Sequence, residues 1–213
     1  SNDNGATWSL TSLTGHDTRA LLIDNSGSLY AGTWDSGIWK STDNGTNWQQ
    51  VNSGLTALAV HALAVDSQNK IYAGTYGAGV FKSVLFVSNW VRTQTPYDYI
   101  WTIKILADDN IFAGTYGSGV YRTTNGGDFW LQMNNGLTNA YIYSITADNQ
   151  NNIFVNSWNS GVFASSNFGL TWESLGMSGF GVSSLYSNSS NTEASNATLV
   201  AGTSDGNIYI NTA

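Results

Sequence analysis

Short runs rich in Val, Ile, Tyr, Trp and Thr follow one another along the chain, each bounded by Gly, Asn, Asp or Ser. This alternation predicts β-strands joined by tight turns. One unit reads as strand A over Val60 to Val65, strand B over Ile71 to Tyr76, strand C over Gly79 to Ser83 and strand D over Trp90 to Thr93. The unit recurs. Five copies of one pattern ending in tryptophan run from Ser1 to Trp8, Ser41 to Trp48, Ser83 to Trp90, Thr123 to Trp130 and Ser165 to Trp172, so their starts are spaced 40, 42, 40 and 42 residues. A second landmark keeps the same rhythm: Ala31-Gly32-Thr33, Ala73-Gly74-Thr75, Ala113-Gly114-Thr115, the weaker Val155-Asn156-Ser157, and Ala201-Gly202-Thr203.

A period of this length belongs to a four-stranded blade rather than a helical repeat. The chain is therefore expected to be all-β, a single five-bladed β-propeller of four-stranded antiparallel blades, with blades over about 13–52, 53–95, 96–134, 135–176 and 177–213 plus 1–12. Residues 206–213 match strand C of the last blade, and Asn2 to Leu13 match the turn and strand that should follow. The amino-terminal strand is thus expected to complete the carboxy-terminal blade, which would close the ring and leave no sheet edge open.

The pattern Ser-x-Asp-x-Gly-x-x-Trp resembles the Asp-box (BNR-like) repeat of secreted bacterial propellers, related to the repeats of sialidases, and the resemblance covers essentially the whole chain. It implies that the box is a structural turn between strands C and D. The carboxylates of Asp3 and Asp43 would bond loop amides, with Asn125 and Asn167 at the same place, while Trp8, Trp48, Trp90, Trp130 and Trp172 pack between strands. Turn chemistry agrees: Asp, Asn and Ser satisfy turn backbone groups, and Gly5, Gly45, Gly127 and Gly169 supply a conformation other residues resist. The third copy carries Leu85 and Val87 where Asp and Gly belong, so that turn is expected to be remodelled. The arginine-containing motif of sialidases is missing.

Composition narrows the classes. The 213 residues are long enough for a full core, and 41% hydrophobic with 10% charged residues excludes a disordered chain; no apolar run is long enough to cross a bilayer. Seven Lys and Arg against 14 Asp and Glu give a net charge of −7, which lacks the basic footprint of a nucleic-acid binder. The chain has no cysteine and so no disulfide. The wealth of Asn, Ser, Thr and Gly, together with the resemblance, points to an exported bacterial protein, extracellular or at the cell surface. No signal peptide is present, and the start inside a repeat implies a leader removed or left out. A monomer without cofactor, metal or membrane insertion is expected.

Function is expected on the face where the D–A and B–C loops gather. Five of the nine tryptophans belong to boxes and Trp39 to a strand C, which leaves Trp34, Trp101 and Trp158. Trp34 and Trp158 follow strand B, where other blades place Tyr76, Tyr116 and Ser204. Trp101 opens a strand A beside Tyr97, Tyr99 and the only proline, Pro96, and is aligned with Asp17, Ala59, Tyr141 and Phe180. Aromatic residues around a shallow opening suit sugar rings, whose faces stack while nearby polar groups bond hydroxyls. For Trp34, Tyr76, Tyr116 and Trp158 a packing role stands beside this one, the small Gly32 and Gly74 making room for an aromatic of the next blade. Trp101, Tyr97 and Tyr99 stand outside the repeat and are the stronger candidates, with Tyr141, and with Asp17 and Asp98 as hydrogen-bonding partners.

The resulting expectation is a non-catalytic module for a glycan or other extracellular ligand; the alternative is a structural or sensory protein-interaction domain of a larger secreted protein, and the third a glycoside hydrolase. Hydrolysis needs two carboxylates about 5 to 10 Å apart. Asp17, Asp35, Asp98 and Asp205 are available on this face, but Asp35 and Asp205 lie in Gly-containing turns where Asp is ordinary. Of the arginines only Arg19 is well placed for a substrate carboxylate, since Arg92 belongs to an outer strand and Arg122 precedes a box. His16 and His61, near the starts of two strands A, lack metal-ligand spacing and are expected to be solvated or hydrogen-bonded. The polar insertion from Ser187 to Asn196, which includes Glu193, reads as a mobile loop.

Overall fold

The computed structural model describes residues 4–84, 89–188 and 198–211, which form five antiparallel sheets in chain order. The first holds β1 (Thr18–Ile23), β2 (Leu29–Thr33), β3 (Gly37–Ser41) and β4 (Gln49–Gln50); the second β5 (Val60–Val65), β6 (Ile71–Thr75), β7 (Gly79–Val84) and β8 (Asn89–Arg92). The third holds β9 (Ile100–Ile105), β10 (Ile111–Thr115), β11 (Val120–Thr123) and β12 (Leu131–Gln132), and the fourth β13 (Ile142–Ala147), β14 (Ile153–Ser157), β15 (Gly161–Ser165) and β16 (Glu173–Gly176). The fifth has three strands among the described residues, β17 (Val182–Asn188), β18 (Thr198–Thr203) and β19 (Ile208–Asn211). The strands of the second sheet fall within one residue of the expected bounds.

The first strand of each sheet lies innermost. β1 packs on β5, β5 on β9, β9 on β13 and β13 on β17, and residues of all five line one axial opening, a propeller-like arrangement. Glycine at the second landmark makes the junctions close. A Cβ added at Gly74 would stand 2.6 Å from Ile100 Cγ2, one at Gly32 2.7 Å from Val60 Cγ1, and one at Gly114 2.7 Å from Ile142 Cγ2. The glycines therefore make room for a β-branched aliphatic side chain, not for the aromatic expected from sequence, because the residue that opens the next inner strand is the one that reaches across. Asn156 takes the glycine's place in the fourth sheet and donates its Nδ2–H to Val182 O at 2.5 Å. Each junction buries an apolar layer, as with Tyr30, Ile38, Val60, Ala73 and Phe81 between the first two sheets.

The box turns from Ser41, Thr123 and Ser165 bond as the resemblance implies, whereas Trp8, at 82% exposure, does not pack between strands as expected. Ser41 Oγ accepts from Gly45 N–H at 2.9 Å, and Asp43 Oδ1 accepts from Asn47 N–H at 2.9 Å. Thr123 with Asn125 and Ser165 with Asn167 repeat both bonds, so an amide oxygen serves as well as a carboxylate. Two successive left-handed residues close the turn, Asn44 at φ 56° and Gly45 at φ 83°, and while Gly126 and Phe168 also serve at the first place, glycine is kept at the second. Trp90 and Trp172 pass their indole N–H to carbonyls of the preceding sheet's outer edge, Val51 O at 2.6 Å and Met133 O at 2.8 Å. Asp3 and the substituted positions Leu85 and Val87 lie outside the described residues, as do Glu193 and most of the insertion, of which Ser187 and Asn188 belong to β17.

The expected closure by an amino-terminal strand is not formed among the described residues: nothing before β1 is a strand, and β19 is the last strand of its sheet. Residues 11 and 12 instead lie against the box turn from Ser41 to Trp48, with Thr11 beside Gly45 and Ser12 Oγ donating to Thr46 O at 2.7 Å. Trp8 and Trp48 each donate their indole N–H to a carbonyl of their own turn, Gly5 O and Gly45 O, because no paired outer strand stands in front of either. The two faces of this seam stay apolar and open, Leu21 at 75% and Ile23 at 64% exposure on one side, Ile208 at 72% and Ile210 at 64% on the other.

Candidate functional site

In every sheet the pairing of the inner strand skips one residue. Arg19 is passed over between Thr18 and Ala20, His61 between Val60 and Ala62, Trp101 between Ile100 and Thr102, Tyr143 between Ile142 and Ser144, and Ser183 between Val182 and Ser184. These are β-bulges, which turn a side chain out of the sheet's alternation. All five bulged residues line the axial opening, a funnel of about 480 Å³, together with Thr102, Ser144 and Ser184. Their positions step by 42, 40, 42 and 40.

This corrects the alignment expected for Trp101, whose counterparts are Arg19, His61, Tyr143 and Ser183. Asp17, Ala59 and Tyr141 are equivalent to Tyr99 instead: their carbonyls accept from the N–H of Trp34, Tyr76, Trp158 and, for Tyr99, Tyr116, at 2.8 to 3.0 Å. Gly181, not Phe180, holds that place in the fifth sheet, accepting from Ser204 N–H. The bulge residue is invisible to strand alternation, so the pattern alone does not mark it as the axial position.

Those backbone bonds join each B–C loop to the loop that opens its own sheet, while Gly37 N–H to Leu58 O, Gly77 N–H to Asp98 O and Gly119 N–H to Ala140 O reach the D–A loop before the next sheet, so the two loop sets gather on one face as expected. The rings they carry form a continuous array. Trp34 meets His61 edge to face at 4.9 Å, His61 stacks on Trp101 at 4.3 Å, Trp101 lies 5.1 Å from Tyr143, and Tyr143 5.1 Å from Trp158. Above this layer the rim tyrosines interlock, Tyr76 with Tyr99 at 4.7 Å, Tyr97 with Tyr99 at 5.8 Å and Tyr116 with Tyr141 at 4.9 Å. Tyr97 OH donates to Tyr116 O at 2.8 Å. Trp34, Tyr97, Tyr99, Trp101, Tyr141 and Trp158 thus lie together in one array. His61, Tyr143 and Ser183 were missed, although counting bulge to bulge at the repeat spacing finds them.

The wall changes character around the axis. Sheets two to four present His61, Trp101 and Tyr143, whereas the fifth presents Ser183 and Ser184, and the first Arg19. Burial holds His61 below its ordinary pKa, with the Arg19 charge adding to the effect, so its imidazole is neutral at neutral pH. His61 Nε2 is buried and has no hydrogen-bond partner among the described residues. Burial likewise raises the Tyr143 phenol. Asp17 pairs with Arg19, whose guanidinium lies 5.9 Å from the centre of the Trp34 ring, and Asp98 pairs with Arg92. Asp35 bonds His16 at 2.8 Å, and Asp205 is held by Thr203 and Asn207. The upper-face carboxylates are therefore each engaged locally, and no carboxylate lines the funnel among the described residues. Among those residues no group of His, Cys, Asp and Glu is arranged to hold a metal ion.

No family model matches the chain, and no curated protein matches it. Many solved structures do. The extracellular domain of a protein described as a hybrid two component system of B. thetaiotaomicron superposes with TM-score 0.75 at 20% identity over 99% of this chain and 30% of that one. A GH74 xyloglucanase from Xanthomonas campestris gives 0.70 at 15% over 92% and 35%, and virginiamycin B lyase from Staphylococcus aureus gives 0.72 at 13% over 95% and 72%. At these identities the likeness is one of fold, that of β-propeller-type domains. The chain spans about a third or less of the sensor-system and GH74 chains it matches.

Proposed function

We propose that this chain is an Asp-box repeat propeller of an exported bacterial protein and acts as a non-catalytic binding module, taking a saccharide on the face that carries the funnel and its aromatic rim. One observation carries the proposal: five equivalent bulges aim five chemically different side chains into one opening, while the turns elsewhere repeat their residues. Ring faces, hydroxyls and a guanidinium around a polar funnel are the groups that hold sugar rings. Among the described residues the carboxylates are engaged elsewhere, and none of them supplies the funnel with the acid and base pair of a glycosidase. Trp101, Tyr99, Tyr97 and Tyr141 are the principal binding residues, with Trp34 and Trp158 beside them. A glycan array on the purified protein, followed by tryptophan fluorescence titration of each hit, tests this; Trp101→Ala and Tyr99→Ala are expected to abolish or weaken binding, and unchanged binding of every hit in both variants would sink the assignment.

The exposed seam favours a second reading, a repeat domain whose open apolar faces meet neighbouring protein. Closure decides between a free seam and a filled one. Thr11 stands before the box turn at Gly45 where Thr93 and Met133 stand before later ones, and we propose that residues 8–12 pair with β19 to complete the fifth sheet. A disulfide formed between cysteines placed at Leu10 and Ile210 in a monomer would support closure.

A further inference from the structure

The two aromatic layers differ in how they are reached. Bulge residues converge on the axis from five inner strands that pack in succession from β1 to β17, so at their level an extended chain meets strand walls except at the seam between the fifth and first sheets. The rim layer is one-sided: Tyr97, Tyr99 and Tyr141 rise over the third and fourth sheets, while the fifth offers Ser204 at the equivalent of Trp34 and Trp158. A ligand that uses both layers away from the seam enters along the axis and leaves over that rim.

We propose that the site reads the end of a saccharide chain: the terminal unit descends the axis against Trp101 and Tyr143, with its hydroxyls toward Ser144, Ser183 and Ser184, and the following units bend outward over Tyr99 and Tyr141. This rests on the saccharide-binding function proposed above and adds to it the orientation and the dependence on a free chain end. The division of polarity supports it. A sugar ring has apolar faces and a polar edge, and the funnel sets Trp101 and Tyr143 of the third and fourth sheets beside the hydroxyls of Ser144, Ser183 and Ser184. The indole and phenol stack on a face of the ring, while the serine hydroxyls, which both donate and accept, suit the edge.

Titration of the whole chain with cello-, xylo-, manno- and chito-oligosaccharides of one to six units, each with free and chemically capped ends, tests the inference. In the series that binds, Tyr143→Ala should weaken every length tenfold or more, and Tyr99→Ala should weaken only the longer members, by threefold to tenfold. Capping one end should abolish binding. Ser183→Trp, which fills the funnel from the fifth sheet without removing packing, should reproduce the loss if Tyr143→Ala is unstable. If capped and uncapped chains bind alike, or if Tyr99→Ala and Tyr143→Ala weaken the same lengths, the ligand lies across the face and the end-on geometry is overturned while saccharide binding stands. If a folded protein binds no member of any series, the saccharide function itself falls.

Discussion

The box turns and the axial bulges are both repeated backbone devices, yet they treat their side chains in opposite ways. At Ser41, Thr123 and Ser165 a hydroxyl receives the same glycine N–H, and at Asp43, Asn125 and Asn167 an oxygen receives the same later amide. At the bulges the backbone is equally regular, but its residues are Arg19, His61, Trp101, Tyr143 and Ser183. Where backbone and side chain repeat together, the side chain satisfies the backbone. Where the backbone repeats and the chemistry does not, the fold has no need of the particular residue, and recognition can choose it.

Substitutions should separate the two sites by what they change. The largest loss of stability is expected for Trp172→Ala, which empties a buried box position and should cost about 3–5 kcal/mol, measured by urea unfolding. Gly74→Val forces a Cβ against Ile100 and should cost roughly 1–3 kcal/mol. Gly202→Val probes the seam by the same change: its Cβ would meet only Ser184 Oγ, so an open seam predicts a change within about 0.5 kcal/mol. A cost equal to that of Gly74→Val would show that the first sheet packs there in solution. Ser165→Ala strands the buried Gly169 N–H and should cost about 1–3 kcal/mol while leaving binding intact.

Trp101→Ala should invert that pattern, losing binding for roughly 0.5–1.5 kcal/mol of stability from each broken ring contact with His61 and Tyr116. The smallest effect is a pH dependence. His61 has its folded pKa below the ordinary 6.5, so as pH falls through 6.5 the unfolded chain takes up a proton that the folded site refuses. Stability therefore declines below pH 6.5 until the folded value is reached, and His61→Gln should flatten that limb of the melting-temperature profile. An unchanged slope in the variant would remove His61 from the account.

Much of the architecture was legible because it is written twice or more. Strand bounds in the second sheet, the box hydrogen bonds and the gathering of the aromatic loops on one face all follow from local alternation and turn chemistry. The site was legible in part: Trp34, Tyr97, Tyr99, Trp101, Tyr141 and Trp158 stood out as rings the repeat did not require. His61, Tyr143 and Ser183 did not, since a bulge adds one residue that alternation cannot register, and the expected counterparts of Trp101 lay two positions early, three in the fifth sheet. Asp17 and Asp98 were placed on the correct face, but their arginine partners come into reach only in the folded loops.

The sequence by itself determined the number of sheets, their internal order and the turns between their strands, because each depends on residues close together in the chain. Tertiary structure decided which residue faces the axis, why glycine stands at the junctions, and whether the last sheet meets the first. Those outcomes depend on contacts between neighbouring units, where one inserted residue reverses a side chain's direction and one added Cβ meets a neighbour some twenty to thirty residues away.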